Sequence, residues 1–120
     1  MKKKIILDTN FLLSFGKVRI FSELERICHF QYGVYVLDKS FEELKNKKGE
    51  KLAKELIKKK NIKIIKTKKE EYVDDILAEI RDKKTIIATN DKDLKRRLQT
   101  PIITIRQKKH LMLEERKNVL

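Results

Sequence analysis

The chain has 120 residues and a formal net charge of +13 at pH 7, with 31 Lys and Arg against 18 Asp and Glu. That length suits a single domain over residues 1–120, large enough to hold a core without staples. A hydrophobic fraction of 40% excludes a disordered chain, and the lone cysteine, Cys28, excludes an internal disulfide.

The chain opens with three lysines and then Ile5-Ile6-Leu7. This apolar run is too short for a signal peptide or a membrane span, so a cytoplasmic location is expected. It suits instead a strand buried on both faces, as in a parallel sheet. Asp8-Thr9-Asn10 ends it with residues that favour turns and helix caps. Val18, Phe21, Leu24, Ile27 and Cys28 recur at helical spacing, which places Cys28 in the core. Gly33 breaks that helix, and Val34 to Leu37 read as a second buried strand. Ser40 is expected to open a helix through Leu44, with Gly49 as an interruption and Leu52, Ala53, Leu56 and Ile57 as the next apolar stripe.

Ile62, Ile64 and Ile65 read as a third strand, Tyr72 to Ile80 as an amphipathic helix and Thr85 to Ala88 as a fourth strand. Asp91 to Leu98 reads as a short helix, ended by Pro101. Ile102 to Ile105 is the fifth strand, and the tail from Gln107 is expected to be polar, with a short final helix. Strands alternating with helices predict a three-layer α/β/α sandwich with a mainly parallel five-stranded sheet.

Open parallel sheets bind ligands beyond the carboxyl ends of their strands. Asp8 follows the first strand, Asp38 and then Glu43 the second, and Asn90 to Asp93 the fourth. Asp74 and Asp75 open the helix that leads into the fourth strand. Acids from distant parts of the chain therefore gather on one edge. Clustered carboxylates repel and raise each other's pKa unless a cation neutralises them. All-oxygen ligands of this kind suit Mg²⁺ or Mn²⁺, and no His or Cys lies at zinc-ligand spacing.

Each acid also has a structural role open to it. Asp8 and Asp91 have the character of helix caps, and Asp74 and Asp75 are acids favoured by a helix N-terminus. Ser40 with Glu43 matches a capping box. His29 and His110 stand without partners, so neither is assigned to catalysis.

The excess of cations points to a polyanion, most simply nucleic acid. Lys95, Arg96 and Arg97 follow Asp91 within one helix, and Arg106, Lys108 and Lys109 follow the fifth strand. These six are the candidates for phosphate contacts. Lys2 to Lys4 and Lys58 to Lys60 fall on the opposite edge and read as solvated surface.

These residues resemble the PIN-domain ribonucleases. The family opens with an apolar strand running into Asp-Thr-Asn, as in Ile5-Ile6-Leu7-Asp8-Thr9-Asn10. Its second acid is a Glu before Leu, as in Glu43-Leu44; its third opens a helix, as in Asp74-Asp75; its fourth follows a strand as Thr-x-Asp, as in Thr89-Asn90-Asp91. The resemblance implies cleavage of single-stranded RNA with Mg²⁺ or Mn²⁺. It implies Asp8, Glu43 and Asp91 as metal ligands, with Asp74 favoured over Asp75 as the fourth. Asn10 and Thr89 would orient ligands or water, and Asp93 would add a further carboxylate.

The stretch from Thr89 to Lys109 is most similar to the branch containing ribosome-biogenesis nucleases and archaeal relatives. Homodimers and a ribosome-assembly partner are consistent with that branch. Two rivals share the fold: a toxin held by an antitoxin, as in the VapC-type branch, and an inactive RNA-binding module. A generic nucleotide-binding domain lacks support, because the three glycines are not clustered.

Overall fold

The computed structural model describes residues 2–68 and 70–115. Six strands and six helices lie along them, with one or two helices between successive strands up to β5. They are β1 (Lys3–Leu7), α1 (Thr9–Leu12), α2 (Ile20–Ile27), β2 (Tyr32–Leu37), α3 (Asp38–Glu43) and α4 (Glu50–Lys59), followed by β3 (Lys63–Ile65), α5 (Val73–Ala78), β4 (Thr85–Ala88), α6 (Lys92–Arg97), β5 (Ile102–Arg106) and β6 (His110–Glu114). The strand order is β3-β2-β1-β4-β5-β6. The first five run parallel, and β6 is antiparallel to β5.

The apolar runs become strands because both faces of the sheet are covered. Ile5 and Leu7 of β1, Val36 of β2, Ile86 and Ala88 of β4 and Ile103 of β5 face one core with α1, α2 and α4. Ile6, Leu37, Ile87 and Ile102, their neighbours of opposite parity, face a second core with α5 and α6. The three-layer arrangement follows from that alternation. Ile5, Leu7, Ile87 and Ile102 are completely buried. Truncating any of them to Ala costs about 2–5 kcal/mol.

The order of the strands decides where a ligand binds. From β1 the chain moves outward to β2 and β3 on one side, then crosses back to β4 and β5 on the other. The carboxyl ends of β1 and β4 therefore flank the switch point, where crossovers diverge and leave a crevice. Asp8 stands directly after β1, and Thr89 directly after β4.

The structure corrects two expectations. The tail carries a sixth strand rather than a helix: residues 110–114 pair with β5 from Arg106↔His110 to Ile102↔Glu114. The turn before it holds Gln107 and Lys108 at φ 53° and 63°, two successive left-handed residues of the kind that close hairpins. Ser40 does not cap a helix. α3 starts at Asp38, so Ser40 lies inside it, fully buried, and Glu43 ends the helix instead of occupying its third position. The helix starts early because Asp38 has its own bonds: its carboxylate accepts from the Lys39 and Thr67 amides and from the Thr67 hydroxyl. The last residues of the expected tail, 116–120, lie outside the described residues.

Candidate active site

Asp8 has extended backbone, φ −67° and ψ 156°, and its amide donates to the Ala88 carbonyl of β4 at 3.0 Å. The carboxylate is thereby pinned at the seam of the two central strands. Its Oδ1 accepts the Thr9 amide at 2.7 Å, capping α1. Its Oδ2 accepts the Thr89 hydroxyl at 2.8 Å. Only 6% of Asp8 is exposed. Burial holds its pKa above the usual carboxylate range; the bonds from Thr89 and Thr9 oppose this, and the charges of Asp74 and Asp91 add to it.

Thr89 is fully buried, and its amide is held by the Ile103 carbonyl of β5 at 3.0 Å. Its hydroxyl oxygen also accepts the Asp91 amide at 3.1 Å. One threonine thus ties Asp8 to the loop that carries Asp91. Asp91 then caps α6, with Oδ1 accepting the Asp93 and Leu94 amides at 2.9 and 3.2 Å. Glu43, at the end of α3, accepts the Thr9 hydroxyl at 2.6 Å. Asp74 lies in the first turn of α5. Burial raises its pKa, with Asp91, Glu43 and Asp75 adding to the rise and Arg97 opposing it.

These four acids line one cleft of about 330 Å³, together with Thr9, Asn10 and Lys47. Capping and convergence therefore coexist: Asp8 and Asp91 each give Oδ1 to a helix terminus and still border the cleft. The acids stand around the cleft without closing on a point. Among the described residues, no three Asp, Glu, His or Cys side chains form a compact metal-holding group.

Other expected site residues go elsewhere. Asp75 pairs with Arg97 at 2.7 Å, which separates it from Asp74. Asp93 is almost wholly exposed and pairs with Arg96 at 3.5 Å. Asp38 is spent on Thr67, and its pKa is lowered by that bond. Asn90 brackets β5, donating to the Ile105 carbonyl and accepting the Ile105 amide. Among the expected phosphate contacts, Arg96 and Arg97 are in the ion pairs just described, and Arg106 pairs with Glu114. Lys95 is half-buried on α6, and Lys108 and Lys109 are exposed in the turn before β6.

Lys47 is the residue that reading the sequence missed. It sits four residues beyond Glu43, inside a lysine-rich stretch that made it look like ordinary surface. The role of the Thr9 hydroxyl was equally hidden, since Thr9 and Glu43 are 34 positions apart.

Comparison with known proteins agrees with the fold. Residues 5–108 match a family described as a PIN like domain. No curated protein matches the chain. The fold is similar to the solved structure of the PIN domain endonuclease Utp24, with a TM-score of 0.80 and 25% identity, covering 98% of this chain and 95% of that one.

Proposed function

Because this chain belongs to the PIN-like domain family, we propose that it is a metal-dependent endoribonuclease that hydrolyses phosphodiester bonds in single-stranded RNA. The observation that carries this reading is the single cleft at the switch point, lined by Asp8, Glu43, Asp74 and Asp91. Two of these carboxyls, Asp8 and Asp74, have their pKa raised by burial first and by neighbouring carboxylates second.

The donor set fits Mg²⁺ or Mn²⁺. It is all oxygen, it is electrostatically overloaded, and its spread suits an ion that keeps several of its own waters. Asp8, Glu43, Asp74 and Asp91 are the residues that would hold the ion. Once bound, it makes water more acidic and neutralises charge building on the phosphate.

The chain's own groups supply the rest. Thr89 and the Thr9 amide fix the Asp8 carboxylate so that it need not reorganise. The Thr9 hydroxyl holds Glu43 in the same way. Lys47 places a cation on the wall of an otherwise acidic cleft, where it can hold a phosphate. No Ser, Cys or His borders the cleft among the described residues, so direct attack by water is favoured over a covalent intermediate.

The similarity of the Thr89–Lys109 stretch to the ribosome-biogenesis branch favours precursor ribosomal RNA as the substrate. Retention of all four acids disfavours an inactive module. The test is hydrolysis of a labelled single-stranded RNA with Mn²⁺. Cleavage that is lost with chelator and lost in Asp8→Asn supports the reading, whereas cleavage unchanged in that variant overturns it.

A further inference from the structure

The rim of the acid cleft is asymmetric. On one side, a hollow shares Glu43 with the cleft and is lined by Glu42, Glu70 and Glu71, with Lys39 as the one lining cation among the described residues. On the other side, a pocket shares Asn10 with the cleft and is lined by Lys17 and Lys48 over Leu13, Phe15 and Leu52. That pocket shares Ser14 and Lys17 with a third, which adds Lys108 and Asn90. Neither of these two pockets is lined by any carboxylate. Through these shared residues the cleft and the two pockets adjoin, with Lys47, Lys48, Lys17 and Lys108 on their walls and Leu13, Phe15 and Leu52 among their apolar lining.

These cations differ from the arginines of α6 and β5. Lys17, Lys47, Lys48 and Lys108 form no ion pair among the described residues, whereas Arg96, Arg97 and Arg106 are each engaged by a carboxylate. A phosphate reaching a paired arginine must displace or share its partner. A phosphate reaching an exposed lysine displaces only counterions. The apolar lining adds a second selective element, since an unpaired base can lie on Phe15, Leu13 and Leu52 while a base locked in a duplex cannot.

Resting on the nuclease reading, the geometry points to single-stranded RNA held on one flank of the scissile phosphate only. Its backbone runs from Lys47 past Lys48 and Lys17 to Lys108, and its bases face the Leu13–Phe15 lining. The opposite flank meets the glutamate wall, which repels its backbone. The enzyme therefore grips one product more firmly than the other.

Binding of a fluorescent single-stranded oligonucleotide, measured in chelator so that cleavage cannot occur, tests this separately from catalysis. The triple variant Lys17→Gln, Lys48→Gln, Lys108→Gln is expected to bind at least about tenfold more weakly. Its log affinity against log salt should be shallower by about 2, from three phosphate contacts at about 0.7 each. The double variant Arg96→Gln, Arg97→Gln should change affinity by less than about twofold. Equal effects, or the reverse order, overturn the lysine path, as does equally tight binding of duplex RNA or an acidic peptide. A 4-thiouridine on one flank of the cleavage site should crosslink to residues 13–17, and crosslinks from the other flank to residues 70–73 overturn the one-sided path. Manganese-dependent cleavage that survives the triple variant with unaltered affinity sinks the lysine path and leaves the nuclease reading standing. Binding through these lysines without any cleavage does the opposite.

Discussion

The Thr89 hydroxyl donates to Asp8 Oδ2 at 2.8 Å across 81 positions of sequence, and its oxygen accepts the Asp91 amide at 3.1 Å. Thr89 is thus the joint between the two acids that flank the switch point. Thr89→Val keeps the shape but removes both bonds, leaving a buried carboxylate oxygen and an amide without partners. The expected cost is about 1–3 kcal/mol of stability. A large fall in kcat with KM little changed is also expected, because Thr89 is buried and does not line the cleft. Thr89→Ser should restore most of both. Thermal melts and steady-state kinetics check this, and equal loss in the Ser and Val variants would show that the hydroxyl is not what matters.

Asp91 carries two duties that one pair of substitutions separates. Its Oδ1 caps α6 through the Asp93 and Leu94 amides, and its carboxylate borders the acid cleft. Asn caps a helix about as well as Asp, while Ala forfeits about 0.5–2 kcal/mol. Asp91→Asn is therefore expected to fold normally and lose hydrolysis, while Asp91→Ala loses hydrolysis and stability together. Melting temperatures beside single-turnover rates decide it; an active Asp91→Asn would reduce the residue to a cap.

How far the sequence foretold this arrangement depends on whether the information was local. The parallel strands were legible because β1, β4 and β5 each carry a short apolar run buried on both faces: Ile5 to Leu7, Ile86 to Ala88, and Ile102 with Ile103. The gathering of Asp8, Asp74 and Asp91 around one cleft was legible because each follows a strand end or opens a helix on the same edge, and Glu43 joins them one short helix after β2. β6 was not, because its turn adopts left-handed backbone at Gln107 and Lys108 with no glycine or asparagine to announce it. The Ser40–Glu43 pattern misled because a competing bond network at Asp38 starts the helix two residues earlier. Asp74 and Asp75 could not be told apart by composition. Adjacent helical residues point about 100° apart, and only the Arg97 contact, 22 positions away, shows which one turns outward.

That divergence gives the Asp74 and Asp75 pair its test. Asp74 faces Asp8, Asp91 and Glu43, and at neutral pH its charge opposes folding in the absence of a cation. A raised folded pKa means the favourable contribution is present at acid pH and is lost as pH rises through that value. Asp74→Asn should therefore raise the melting temperature in chelator at pH 7, by less than about 1 kcal/mol equivalent given its partial exposure to solvent. The gain should shrink as the wild type is titrated toward the carboxylate range. Added Mn²⁺ should stabilise the wild type more than the variant, and hydrolysis should be lost. Asp75→Asn, which frees Arg97 and removes one of the weaker charges acting on Asp74, should keep most activity. Loss of activity in Asp75→Asn with retention in Asp74→Asn would reverse the assignment.

The edge strand β6 is held from outside the sheet by a charged clamp on α2. Glu23 Oε1 accepts the Leu111 amide at 2.9 Å, Arg26 donates to both Glu23 oxygens at 2.8 and 3.1 Å, and Arg26 also donates to the Leu111 carbonyl at 2.9 Å. The Arg26 and Leu111 bonds pull the Glu23 pKa from 4.5 down to about 2. A depressed pKa contributes stability that is present above 4.5 and is lost as pH falls toward about 2. Glu23→Gln is expected to be less stable than the wild type at pH 7, with the difference fading across that window. Hydrogen exchange should locate the effect: the Leu111 amide loses protection while Ile87, in the middle of β4, keeps it. Because β6 covers β5, and β5 fixes Thr89 through the Ile103 carbonyl, a clamp failure that spreads inward should also lower the hydrolysis rate. A Gln variant with unchanged protection at Leu111 and no pH-dependent difference in melting would show that the charge of Glu23 is not needed and that pairing with β5 and packing keep β6 docked.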